Sequence, residues 1–158
     1  MRSMSPRWSR RCAVWLAAGR VALGVVAVLR PELPARPWVG TTEAGGAAGR
    51  VLGRALGGRD ISLGLGALLA LRHDRAAGPV AASWVAGGAL ADGVDVLATV
   101  VSWRALPPAG RVAVTVVAGS AAVLGTLAAT TLPAGAPGRL RTAWPGQTGS
   151  RRKIGRGR

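Results

Sequence analysis

The chain has no phenylalanine and no tyrosine, one cysteine, one histidine and only six acidic residues. Each shortage removes a possibility. A soluble core ordinarily leans on large aromatic side chains for buried area, and here six tryptophans are the only aromatics. Cys12 stands alone, so neither an intramolecular disulfide nor a thiolate metal site can form. His73 is also alone, within Arg72-His73-Asp74-Arg75, and reads as a solvated loop histidine rather than a ligand or base. No metal and no cofactor are expected. The soluble-enzyme signatures are missing too. There is no Walker loop and no Rossmann fingerprint, and Gly64-x-Gly66 lacks the third glycine. A Ser/His/Asp triad would need His73. The chain is therefore expected not to be an enzyme.

Charge is also missing from long stretches. Val112 to Gly138 contains no ionisable side chain, and neither does Ala76 to Ala91. Runs of this kind read as membrane-spanning helices. Trp38, Trp84, Trp103 and Trp144 fall near span ends or in flanking segments, where an amphipathic indole suits the headgroup region. The expected fold is all-α, an integral membrane four-helix bundle with spans at about 12–29, 51–71, 80–103 and 112–132. A basic N-tail covers 1–11 and a basic, disordered C-tail covers 133–158. Residues 30–50, with Pro31, Pro34, Gly40, Gly45 and Gly46, read as a loop. Arg30-Pro31-Glu32-Leu33-Pro34 offers no cleavage site, so the first span reads as an uncleaved helix.

The 21 Lys+Arg against 6 Asp+Glu suggest nucleic acid at first sight, but their positions suggest a membrane. The N-tail carries four, the 72–79 loop two and the C-tail seven, against five in the segments on the opposite side. Cytoplasmic termini in the plasma membrane follow from that bias. The tail Arg151-Arg152-Lys153-Ile154-Gly155-Arg156-Gly157-Arg158 reads as an anchor to anionic lipid, not as a nucleic-acid element. The expected partners are the bilayer and either a protein subunit or a second copy.

Against this background five charges stand out, because they fall near mid-depth of the spans: Arg20, Arg59, Asp60, Asp92 and Asp95. An Arg or Asp at the centre of a membrane helix costs roughly 2.5–3.5 kcal/mol. Five facing lipid would oppose insertion by more than about 10 kcal/mol, so they must face one another. Helical spacing agrees. Ala13, Ala17, Arg20, Gly24 and Ala27 share a face of the first span, and Gly53, Gly57, Asp60, Gly64 and Ala67 share one of the second. Ala81, Val85, Gly88, Asp92, Asp95, Thr99 and Ser102 do so in the third, and Thr115, Gly119, Ala122, Thr126 and Ala129 in the fourth. Two arginines face three aspartates, leaving one negative charge unless Arg54 reaches in or a carboxyl holds a proton. Asp92 and Asp95, at i and i+3, are expected to titrate as a unit. The cluster is either a structural staple, in a non-enzymatic structural or accessory subunit, or the site of a small-solute or proton-coupled permease.

Three segments carry a resemblance: Gly19-Arg20-Val21-Ala22-Leu23-Gly24, Gly57 to Gly66 with its Arg59-Asp60 pair, and Gly87 to Asp95 with Asp92-x-x-Asp95. Together they resemble a group of small uncharacterised actinobacterial membrane proteins, similar in layout to the DoxX-like four-helix superfamily. The resemblance covers about residues 12 to 132 and excludes both tails. It implies a four-span fold and a membrane compartment, and no particular reaction.

Overall fold

Six helices make up the described part of a computed structural model, which covers residues 6–72 and 78–132. They are α1 (Pro6–Leu29), α2 (Glu32–Val39), α3 (Thr41–Gly45), α4 (Ala47–Arg72), α5 (Gly78–Val101) and α6 (Pro108–Thr131). Residues 1–5 of the N-tail, the stretch with His73, and the C-tail lie outside the described residues.

The fold is all-α, but it is not a plain four-helix bundle. Four long helices form a ring in the order α1, α4, α5, α6, with α1 against α4 and α5 against α6 as its two most extensive pairings. The other two helices occupy the segment expected to be a loop. Proline misled that expectation. Pro34 sits in the first turn of α2, where the missing N–H breaks no helical bond, and only Pro37 lies deeper in that helix. Gly40, with φ of 96°, ends α2 in a conformation that L side chains rarely adopt. α3 starts immediately after it. Pro108 opens α6 at the first helical position, where its fixed φ suits helix initiation.

Packing inverts the pattern of a water-soluble protein. Small side chains fill the interior: Ala13, Ala17, Ala67, Ala81 and Ala128 are buried, with only Leu71, Val85 and Leu132 as larger members of that cluster. Trp15, Leu90, Val101 and Val117 face outward. Helices in lipid gain no hydrophobic drive from meeting one another, so close backbone approach takes its place. α1 and α4 approach this way, antiparallel. A Cβ on Gly24 would sit 2.6 Å from the Gly57 carbonyl oxygen, and one on Gly64 would sit 2.6 Å from that of Ala17.

Three helices are long and apolar enough to cross a membrane: Arg7–Leu29, Pro79–Val101 and Pro108–Thr131. α4 has the length, at 26 residues, but Arg50, Arg54, Arg59, Asp60 and Arg72 keep it out of that group.

Predicted and observed faces agree on α1, on α4 and on α5 as far as Thr99; Ser102 lies beyond the end of α5 and is exposed, and the faces differ on α6. The buried residues of α1, α4 and α5 include Ala13, Ala17 and Ala27, then Gly57, Asp60, Gly64 and Ala67, then Ala81, Val85 and Thr99. On α6 the buried positions are Gly110, Gly125 and Ala128, and Thr126 is exposed. The threonine hydroxyl donates to the Ala122 carbonyl at 2.8 Å, so it needs no partner on another helix. Without an inward charge, nothing in the α6 sequence fixes its rotation to within one residue.

Candidate functional site

The five charged residues form one chain of alternating sign across three helices: Asp92, Arg20, Asp60, Arg59, Asp95. Arg20 stands on α1 and forks. Nη1 donates to Asp60 Oδ1 on α4 at 2.9 Å, and Nη2 donates to Asp92 Oδ2 on α5 at 2.5 Å. Nη2 also donates to the Gly88 carbonyl at 2.8 Å. A planar guanidinium presents two nitrogens to two helices in a fixed fork, where a lysine ammonium would offer a single nitrogen. Gly88 also makes room, since a Cβ there would lie 3.2 Å from Arg20 Nε.

Arg59 completes the chain. Nη1 and Nη2 grip both oxygens of Asp95 at 3.2 and 2.9 Å, a bidentate pair between α4 and α5. Nη2 and Nε also reach back to Asp60 Oδ1 at 3.3 and 3.4 Å. Asp60 is thus shared by both arginines through one oxygen. Side-chain exposure is 12% for Arg20 and 29% for Arg59, so the Arg20 half is the more buried. No buried side-chain nitrogen or oxygen among the described residues lacks a hydrogen-bond partner.

Sequence spacing alone could not assign these pairings. Asp92 and Asp95, neighbours at i and i+3, take different arginines. Arg54 joins neither and is exposed. The network therefore holds three carboxylates and two guanidiniums, with no third cation among the described residues.

Two further residues tie the network to one end of the molecule, Trp38 and Thr99, and nothing in the sequence linked the two. Trp38 Nε1 on α2 donates to Thr99 Oγ1 at 3.1 Å, and the Thr99 hydroxyl donates to the Asp95 carbonyl at 2.7 Å. The indole of α2 is thereby coupled to the helix turn that carries Asp95. The nearest hint in the sequence was Thr99, one turn beyond Asp95 on its charged face. At the other end Thr131 donates to the Ser9 hydroxyl at 2.6 Å and Arg10 to the Leu71 carbonyl at 2.7 Å, which joins the first helix to α6 and α4.

A narrow cavity touches the network from the ring's interior, lined by Ala17, Arg20, Gly64, Trp84, Gly88 and Asp92 among others. It offers about 20 Å³ to a water-sized molecule, which is room for about one water. Among the described residues no group of three or more His, Cys, Asp or Glu side chains is arranged to hold a metal ion.

No protein-family model, no curated protein and no solved structure matches the chain. The likeness to the DoxX-like layout rests on the three sequence segments alone.

Proposed function

We propose that this chain is a four-span protein of the plasma membrane with cytoplasmic termini, acting as a non-enzymatic structural or accessory subunit of DoxX-like layout. In this reading α4 crosses the membrane with the three apolar helices, as the second span in chain order. The carrying observation is the fork of Arg20, which gives Asp60 and Asp92 a common cation on a third helix. A helix bearing Arg59 and Asp60 is costly in lipid by itself, and pairing across the bundle removes most of that cost. The network then serves as a register device that dictates which helix meets which, the best-attested use of buried ionic groups. A cavity with room for about one water supports this reading over a solute permease.

A second reading, proton coupling, draws on one specific observation, the excess of one carboxylate over the two arginines. It uses the same residues, and the Asp92 variant described below separates the two.

Reporter fusions test the topology. Fusions after Trp144 and within 73–77 report cytoplasm, and one near Thr41 reports the outside. A C-terminal reporter that is active outside contradicts the four-span reading and removes α4 first.

A further inference from the structure

The outer face of α4 carries charge that the network leaves unused. Arg50 and Arg54 are both exposed, stand four residues apart on one side of the helix, and form no ion pair with any acid among the described residues. Two cations so placed repel each other and call for an anion between them. Their depth says what kind. Centring the 26 residues of α4 on the bilayer puts Arg50 close to the hydrocarbon boundary and Arg54 about 6 Å further in. Side chains on a helix lean toward its N-terminus, so Arg54 reaches back toward Arg50 and the headgroups.

Below the arginines the same face becomes apolar and open. A Cβ on Gly58 would meet nothing within 4 Å. Ser62 turns its hydroxyl onto the Gly58 carbonyl at 2.8 Å and offers no free donor, and Leu65 and Leu69 are exposed beyond it. We infer that an anionic phospholipid docks here, its phosphate between Arg50 and Arg54 and an acyl chain along Gly58, Ser62, Leu65 and Leu69. A second copy fits this face less well, since a two-fold contact would set Arg54 against Arg54. The site rests on α4 being a membrane span, and it explains how that span tolerates Arg54.

The test uses full-length protein in mild detergent, with native mass spectrometry counting bound lipid and melting followed in parallel. Phosphatidylglycerol binds and raises the melting temperature; phosphatidylcholine and inorganic phosphate do not. Arg50→Gln and Arg54→Gln each weaken phosphatidylglycerol binding about fivefold, the loss of one surface basic residue's attraction. Arg104→Gln, an exposed arginine between α5 and α6, leaves it unchanged. Arg54→Lys, which keeps the charge, retains most of the binding and controls for misfolding. Equal binding of phosphatidylcholine, or full binding by both Gln variants, overturns the site. The same shift with inorganic phosphate alone overturns the lipid assignment. A chain that stays monomeric and folded without detergent contradicts the membrane reading instead, and so distinguishes that failure from this one.

Discussion

Arg20 and Asp92 lie 72 residues apart in sequence and meet Nη2 to Oδ2 at 2.5 Å, joining α1 to α5, which are not neighbours in the helix ring. The same guanidinium holds Asp60 of α4, so one side chain fixes three of the four long helices.

The two halves of the network differ in burial, and so should their costs. Asp95→Asn leaves Arg59 with Asp60 still in reach and a side chain 29% exposed. Asp92→Asn withdraws a carboxylate from an arginine only 12% exposed. Chemical unfolding in detergent is expected to show a smaller loss for Asp95→Asn than for Asp92→Asn. The reverse order contradicts the burial argument.

Glycines at the α1–α4 crossing hold the backbones together, and others do not. Gly57→Ala places a methyl 2.7 Å from the Gly24 carbonyl oxygen and forces the helices apart, with a loss of about 1–3 kcal/mol. Gly93→Ala meets nothing within 4 Å and gains up to about 1 kcal/mol from better helix propensity. Melting temperatures of the two variants should therefore move in opposite directions.

The short helices at the end of the ring are latched through Trp38. Removing the acceptor with Thr99→Val deletes the bond from Trp38 Nε1 and leaves its N–H unpaired, at a cost of about 1–3 kcal/mol. Limited proteolysis between Gly40 and Gly46 should speed up in this variant, while the helices below remain protected. An unchanged cleavage rate would show that Trp38 does not hold α2 in place.

How much of this the sequence disclosed depends on where charge lay. Arg20, Arg59, Asp60, Asp92 and Asp95 could be placed together from the cost of exposing them to lipid, and the faces of α1, α4 and α5 follow from those residues. α6 has no such marker, and its threonines satisfy themselves on their own backbone, so Thr126 was placed inside when it is exposed. Pairing was also out of reach: the partner of Asp92 could be either arginine until the crossing of α1, α4 and α5 was known. α2 was missed because proline was read as a breaker where it stands in the first helical turn.

The central claim is that the Arg20–Asp92 pair is a staple, and a double-mutant cycle in detergent tests it directly. Asp92→Asn alone should lose up to about 3–5 kcal/mol, because it removes one of the two carboxylates that hold the buried Arg20 guanidinium and leaves it with Asp60. Arg20→Gln combined with Asp92→Asn should recover part of that loss, whereas Arg59→Gln with Asp92→Asn should not, since Arg59 bonds Asp95 and Asp60 instead. The account predicts that both statements hold across pH 5 to 8. An Asp92→Asn protein that is as stable as the parent, or more stable, over that range contradicts it and shifts the cluster to the proton-coupling reading.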